Sequence, residues 1–256
     1  MRRIRVIPTL LLAKEGLVKT IRFGKRTYLG DPINAVKLFN EKEVDELVVM
    51  DIDAGKPGGG IDFAAIEDIV SEAFMPVAYG GGVRSVEEIR RLLGGGVEKV
   101  IVSTCVHENP AVIEEATSRF GCQSLVASVD VGKGLLRGPT ARIRNGRVST
   151  GRSAVDHAAH CERLGVGELI VTAIDREGTY RGYDLDLLRS VSDAVGIPVV
   201  ANGGAGSLDD FLPAVVKGGA SAVAAGSLFV YASRGEGVLI NYPSTAQLEA
   251  QLWSKL

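Results

Sequence analysis

The stretch Val199-Val200-Ala201-Asn202-Gly203-Gly204-Ala205-Gly206-Ser207 decides the fold, because a second copy of it occurs earlier in the chain. The earlier copy, Val77-Ala78-Tyr79-Gly80-Gly81-Gly82-Val83-Arg84-Ser85, lies 122 residues before it, and each copy follows a proline. Each copy is a short apolar run, typical of a buried strand, that leads through glycines to a helix-capping serine. Glycines let the backbone approach a ligand, and helix N-terminal amides favour anions. Both turns are therefore candidate anion sites; the alternative is a tight strand-to-helix turn without a ligand.

The repeat extends well beyond these two turns. Residues 46–53 match residues 168–175 at the same offset, and residues 96–104 match residues 219–227 at an offset of 123. Two halves of similar length, each with four apolar runs, indicate one doubled unit rather than two unrelated domains. We expect a single domain over residues 1–256, made of half-repeats at about 1–122 and 123–243 and a C-terminal helix.

Length and composition are those of an ordinary globular domain. The chain has 256 residues, close to the ~250 residues of a (β/α)8 barrel. A formal net charge of −2 argues against nucleic-acid binding. No apolar run reaches the ~18 residues that a membrane helix needs, so we expect a cytoplasmic protein. The three cysteines have no metal-ligand spacing, and we expect reduced thiols and no metal or cofactor.

Eight apolar runs alternate with predicted helices along the chain. They lie at residues 4–11, 46–51, 76–80, 98–103, 124–130, 168–174, 197–202 and 221–226. This alternation predicts an α/β fold with parallel strands and right-handed crossovers, and the half-repeat favours a closed TIM barrel over an open sheet. A long loop should follow the first strand, and an Asn-Gly pair predicts a hairpin over residues 141–149. The arginines of that hairpin are either solvated or form an anion-steering wall.

Ligand groups of a barrel should follow the C-terminal ends of its strands. In such a barrel, the two equivalent anion sites lie on opposite sides of the barrel mouth, which suggests a ligand with a phosphate at each end. Asp130 ends the fifth strand and is a candidate general acid or base, unless it is a structural capping carboxylate. The half-repeat places Leu11 at the equivalent position of the first strand, and leucine transfers no proton.

Four charged residues lie near the strand starts at the other end of the barrel: Arg5, Glu46, Lys99 and Glu168. Charges near a barrel floor must be paired or solvated, so a structural salt-bridge plug is one interpretation. The fragment His157-x-x-His160-Cys161 has metal-ligand residue types but no partner cluster, and we expect an exposed helix face there.

Motifs across essentially the whole chain resemble the cyclase subunit of imidazole glycerol phosphate synthase. The matching segments are Asp31-Pro32, Glu46-Leu47-Val48, Tyr79-Gly80-Gly81-Gly82, Glu108-Asn109-Pro110, Val129-Asp130, Gly167-Glu168, Ile174-Asp175-Arg176-Glu177-Gly178-Thr179, Gly182-Tyr183-Asp184 and Gly203-Gly204-Ala205-Gly206. The resemblance implies a (β/α)8 barrel that docks a separate glutaminase on its N-terminal face. Ammonia released there passes through the barrel to a bisphosphorylated ribonucleotide at the other face.

The resemblance also assigns site residues. It implies phosphate binding at Gly81, Gly82, Ser103, Thr104, Gly178, Thr179, Gly203, Gly204, Gly226 and Ser227. It implies a lid-loop lysine at Lys19 and a charged ammonia gate at Arg5, Glu46, Lys99 and Glu168. The family closes its imidazole ring with two aspartates, of which Asp130 is one, whereas Leu11 stands at the position of the other. Glu177 is a second departure, because the family commonly has aspartate there.

One branch of this family serves surface-polysaccharide gene clusters, and residues 16–21 and 238–243 resemble it. In that branch the barrel pairs with a glutaminase and passes ammonia to a third protein that amidates a nucleotide-linked sugar acid. We favour this function, that of a lyase-type subunit of a glutamine amidotransferase with its own cyclase activity lost or reduced. The alternatives are a working cyclase of histidine biosynthesis and, third, the sister aldose–ketose isomerase, which needs no ammonia gate.

Overall fold

The computed structural model describes residues 3–133, 138–234 and 236–256. The strands are β1 (Arg5–Ala13), β2 (Gly16–Thr20), β3 (Arg26–Gly30), β4 (Leu47–Asp51), β5 (Val77–Gly80), β6 (Lys99–Val102), β7 (Leu125–Lys133), β8 (Pro139–Ile143), β9 (Val148–Ser153), β10 (Glu168–Ala173), β11 (Val199–Asn202), β12 (Ala222–Ala225), β13 (Tyr231–Ser233) and β14 (Glu236–Val238). The helices are α1 (Pro32–Glu41), α2 (Phe63–Glu72), α3 (Val86–Gly94), α4 (Thr104–Glu108), α5 (Pro110–Phe120), α6 (Ala154–Arg163), α7 (Leu185–Ser192), α8 (Phe211–Val216), α9 (Ser227–Val230) and α10 (Thr245–Gln251).

Eight of these strands form a closed parallel barrel in the order β1, β4, β5, β6, β7, β10, β11, β12. The ring closes where β12 pairs with β1, with Arg5 opposite Ala222 and Pro8 opposite Ala225. Closure leaves no unpaired strand edge in the barrel, and helices separate consecutive barrel strands. The predicted fold class, an α/β (β/α)8 barrel, is therefore confirmed.

Alternation along the strands divides the buried residues into two sets, because successive side chains point to opposite faces of a strand. The larger set lies between the barrel and its helices and includes Phe39, Ile89 and Phe211. The smaller set fills the barrel itself and contains Ile7, Val48, Ala78, Ile101, Val126, Ile170, Val200, Ala222 and Ala224. The middle of the barrel interior is thus apolar.

Helix starts are stabilised by capping side chains. Asp31, Asp62, Ser153 and Asp184 each accept a backbone amide of the first turn. Ser85, predicted as a helix cap, forms a capping box with Glu88, which supplies acceptors for two otherwise unpaired amides. A single 3₁₀ turn, Leu208–Asp210, precedes α8, the helix that contains Pro213.

One local prediction was wrong, and one helix was missed. The segment after β1 is not a long loop: β2 and β3 form an antiparallel hairpin that continues from β1, with Lys19 opposite Thr27. The short helix α4 was not predicted at all. The hairpin around Asn145-Gly146 is confirmed as β8 and β9. Among the described residues, no helix has the length and apolar composition to cross a bilayer.

Candidate functional site

A cavity of about 160 Å³ lies at the C-terminal ends of the barrel strands. Residues from both sequence halves line it, including Leu11 and Lys19 from the first half and Asp130 from the second. Five of the predicted phosphate-binding residues also line it: Gly178, Gly203, Gly204, Gly226 and Ser227. The structure therefore brings Asp130, Lys19 and the second-half glycine turns together in one site.

Asp130 lies within β7 and is 9% exposed. The Ser128 hydroxyl donates a 2.9 Å hydrogen bond to its carboxylate, and Thr172 also donates to it. Thr172 is in turn held by the Asn202 side-chain amide at 3.1 Å. Burial raises the pKa of Asp130 to about 6, while the two hydroxyl hydrogen bonds act in the opposite direction. A carboxyl with such a pKa can take up or release a proton near neutral pH.

The wall contributed by β1 and β4 is apolar where it enters the cavity. Leu11 pairs with Met50 in the β1–β4 register, and both line the cavity with Val48 and Ile170. Thr9, on the same strand as Leu11, has a buried hydroxyl without a hydrogen-bond partner among the described residues. One wall of the site therefore carries a proton-transfer group, and the wall at Leu11 carries none.

The β2–β3 hairpin forms a lid over the cavity, and Glu177 holds it. Lys19 and Glu177, 7% and 6% exposed, form a buried ion pair. The other Glu177 carboxylate oxygen accepts hydrogen bonds from the Thr20 hydroxyl at 3.1 Å and the Phe23 amide at 3.0 Å. Its backbone carbonyl accepts from the Arg22 amide at 3.0 Å. Sequence reasoning missed this pairing, because the two residues are 158 positions apart and no motif joins them.

The first-half phosphate residues are placed differently. Gly81, Gly82, Ser103 and Thr104 follow β5 and β6 as expected, but they do not line this cavity. The Thr104 hydroxyl accepts a 3.1 Å hydrogen bond from the Arg144 amide at the tip of the β8–β9 hairpin. Thr179 also lies outside the cavity lining, and both its amide and its hydroxyl donate to the Arg176 carbonyl.

Several cationic residues at the cavity were not singled out by the motifs. Arg26 and Lys56 line it and both bind Asp53, the former with one contact of 2.9 Å. The hydrogen bond from Arg26, aided by Lys56, holds the pKa of Asp53 well below its ordinary range. Arg147 enters from the β8–β9 hairpin and lines the same cavity. The basic composition of the two hairpins was the sequence feature that pointed to cations near the cavity, but it did not predict which of these residues line it.

The four predicted gate residues form one cluster at the opposite end of the barrel. Arg5 pairs with both Glu46 and Glu168. Lys99 pairs with the same two carboxylates, at 3.1 Å and 2.9 Å. The two glutamates are 5% and 8% exposed. A buried charge is tolerated where it is paired, and here each glutamate has two cationic partners. The result is a closed ring of alternating charge beneath the apolar barrel interior.

The histidine and cysteine fragment on α6 differs from expectation. His157 is 1% exposed and Cys161 is fully buried, so the predicted exposed helix face is wrong. Residues 157 and 161 are one helical turn apart and lie on the buried face of α6 with Ala154 and Ala158. The described part of the chain contains no group of three or more His, Cys, Asp or Glu side chains placed to hold a metal ion.

Comparison with known proteins agrees with this geometry. The model of the family described as "Histidine biosynthesis protein" matches residues 5–234. A protein of Leptospira borgpetersenii named "Putative imidazole glycerol phosphate synthase subunit HisF" is 45% identical over 98% of this chain and 99% of its own length. A Pseudomonas aeruginosa protein named "Putative imidazole glycerol phosphate synthase subunit hisF2" is 42% identical over 96% of this chain and 98% of its own length. The "Imidazole glycerol phosphate synthase subunit HisF" of Alkaliphilus metalliredigens is 38% identical over 89% of this chain and 90% of its own length. The chain therefore belongs to the histidine biosynthesis protein family.

Proposed function

We propose that this chain is the ammonia-conducting barrel subunit of a glutamine amidotransferase complex, and that its own cyclase chemistry is lost or reduced. The observation that carries the proposal is Leu11 in the wall of a cavity that retains Asp130. Cyclase chemistry in the family uses two aspartates, and here one proton-transfer group is missing. The charged ring at the barrel floor, in contrast, keeps all four of its residue types.

The barrel interior supports conduction of a neutral molecule. Small side chains such as Ala78, Ala222 and Ala224 lie among the apolar residues between the ring and the cavity. Burial of an unpaired ion in such surroundings is costly, so the interior favours neutral ammonia over ammonium. The ring must open for transit, since each of its cations binds both carboxylates. Docking of a partner at this end is the trigger that we propose, because the ring lies at the N-terminal ends of the strands.

The partner that we propose is a separate glutaminase, because the relatives are named as subunits of a synthase. Phe74 precedes β5, so it lies on the same end of the barrel as the ring, and it is 90% exposed. An apolar side chain in that position suits an interface, where aromatic anchors contribute much of the binding energy.

The acceptor that we propose is a nucleotide-linked surface sugar acid, amidated by a third protein. Relatives named hisF2 and hisF3 support a paralogue, since the numbering of these names implies more than one copy in an organism. In this function the cavity delivers ammonia and Asp130 is not required to complete a ring closure.

A true cyclase of histidine biosynthesis is the second candidate. The retained Asp130 network and the HisF name of the relative from Alkaliphilus metalliredigens favour it. It requires another group to replace the missing carboxylate. The aldose–ketose isomerase is the weakest candidate, because an isomerase has no use for the charged ring.

Mixing the purified barrel with a glutaminase subunit from the same organism tests the proposal. We expect the two proteins to co-elute and the rate of glutamine hydrolysis to rise on docking. Phe74→Asp is expected to weaken binding at least about tenfold, as for an interface anchor. Ile21→Asp is the control. It changes an exposed apolar residue of the β2–β3 hairpin, at the opposite end of the barrel, and should leave binding unchanged. A pair that neither co-elutes nor changes the hydrolysis rate would overturn the proposal.

A further inference from the structure

We propose that the junction between β9 and the start of α6 binds a small oxyanion through the side chains of Arg152 and His157. His157 belongs to the histidine and cysteine fragment of α6, for which ammonia conduction has no use. Neither residue lines the cavity at the barrel mouth, so this junction is a second site and its ligand is independent of the proposed function.

Three buried polar atoms near this junction lack a partner. His157 is 1% exposed, and no described residue forms a hydrogen bond with its Nδ1 atom. The Nη1 atom of Arg152 is likewise buried, without a hydrogen-bond partner in the described parts of the chain. The third atom is the Thr140 hydroxyl oxygen on β8, opposite Ser153 in the strand register. Buried polar atoms normally have partners, because an unpaired one costs free energy, so the junction is built for a group that supplies them.

The start of α6 brings the two side chains together. Ser153 is the N-cap of this helix, so Arg152 stands one position before the cap and His157 four positions after it. Side chains at these two positions pack against each other across a helix start, usually as an apolar pair. Arginine carries only hydrogen-bond donors, and a neutral histidine can place its proton on Nδ1. One shared acceptor would therefore satisfy both side chains.

The charges that act on His157 are positive. Burial, followed by the charges of Arg152, His160 and His107, lowers the pKa of His157 to about 4. The His160 ring lies on the same helix, with its centroid 6.4 Å from that of His157, and His107 belongs to α4. Burial also raises the pKa of the neighbouring Cys161 thiol to about 12, so this thiol is neutral. Such surroundings favour an anion over a cation.

The carboxylates nearest in sequence are already engaged. Asp156 is exposed, and its carboxylate accepts a 2.7 Å hydrogen bond from the Ser153 hydroxyl. Glu108, at the end of α4, pairs with Arg144 at 2.7 Å. A guanidinium is always charged, and a buried charge requires a partner of opposite sign.

An oxyanion from solvent meets this requirement. Arg152 as a whole is half-buried, so a small ion can enter along its side chain and reach the buried nitrogen. An oxygen between Nη1 of Arg152 and Nδ1 of His157 would accept a hydrogen bond from each. Hydrogen bonds between charged partners are the stronger ones, and guanidinium groups bind phosphate and carboxylate oxygens well. Inorganic phosphate is therefore a suitable probe of the site.

NMR titration of the purified barrel with inorganic phosphate tests the inference, with sodium chloride of equal ionic strength as the control. The chain has three histidines, so the side-chain resonances of His157 can be followed individually. Two hydrogen bonds to a charged group correspond to a dissociation constant on the order of 1 mM. We expect a saturable shift of the His157 Nδ1 resonance in this range. The pKa of His157 should rise as well, because a bound anion favours the charged imidazole.

Arg152→Met removes the guanidinium, and the dissociation constant measured at His157 should rise at least about tenfold. Arg163→Met, at an exposed position of the same helix, is the matched control and should leave it unchanged. Thermal unfolding of both variants establishes that the fold is retained, and the titration of the unmodified barrel is decisive without them.

Two results would overturn the inference. One is a His157 resonance that phosphate leaves unchanged, as expected if an ordered water molecule is the partner of Nδ1 or if phosphate binds only at the barrel mouth. The other is equal phosphate affinity of the unmodified barrel and a folded Arg152→Met. Glutaminase takes no part in this titration, so its outcome is separate from that of the docking experiment.

Discussion

Replacing Asp130 by asparagine is expected to stabilise the folded protein at neutral and alkaline pH. Burial raises the pKa of this carboxyl from 3.8 to about 6. Between these two values the folded protein binds a proton that the unfolded chain has released, so stability falls as pH rises through about 6. At ~1.4 kcal/mol for each tenfold change in proton affinity, the ionised carboxylate costs about 3 kcal/mol at pH 8. Asparagine has the shape of the neutral acid and cannot ionise.

Urea unfolding of the unmodified protein and Asp130→Asn at pH values from 4 to 8 measures this effect. The difference in free energy of unfolding should be near zero at pH 4 and grow to about 3 kcal/mol in favour of the variant by pH 8. Asp68→Asn, a change of an exposed aspartate, is the matched control and should show no such growth. A variant that is less stable at every pH, or a difference that does not depend on pH, would refute the reasoning.

Two further predictions concern the charged ring and the lid. Lys99→Met leaves Glu46 and Glu168 sharing Arg5, and should lower the free energy of unfolding by about 3 kcal/mol in urea titrations. The control, Lys37→Met at an exposed position of α1, should leave the free energy of unfolding unchanged. Equal stability of the two variants would contradict a buried paired ring. Glu177→Gln removes the charge that holds the lid, so trypsin should cut the lid turn at Arg22 and Lys25 several-fold faster. An unchanged cleavage rate would show that Glu177 does not hold the lid.

The barrel could be predicted from the sequence because its signals are local and repeated. Strand runs of four to nine residues, capping residues such as Asp31 and Ser85, and the doubled glycine turn each depend on neighbours in the chain. The β2–β3 hairpin was missed for a physical reason: its strands carry polar residues such as Lys19 and Arg26 that face the cavity, so apolar alternation is weak there.

The site was harder to predict, because its contacts join distant residues. Position in the repeat was enough to place Asp130, Leu11 and the second-half glycines at the cavity. It gave no indication that Glu177 neutralises Lys19 or that the Arg144 amide donates a hydrogen bond to Thr104. The two hairpins follow the repeat, since β2–β3 after β1 and β8–β9 after β7 stand at equivalent positions of the two halves, but their side-chain contacts differ.

Ammonia-dependent cyclase turnover of the unmodified protein and of Leu11→Asp tests the central claim most directly. Each proton-transfer group contributes about 10²–10⁴-fold in rate, so loss of one costs about 3–5 kcal/mol of transition-state stabilisation. With the bisphosphorylated ribonucleotide of the family and free ammonia as substrates, we expect barely detectable turnover by the unmodified barrel and partial recovery in Leu11→Asp. Turnover by the unmodified protein near the ~10 s⁻¹ typical of enzymes would contradict the account and identify a working cyclase.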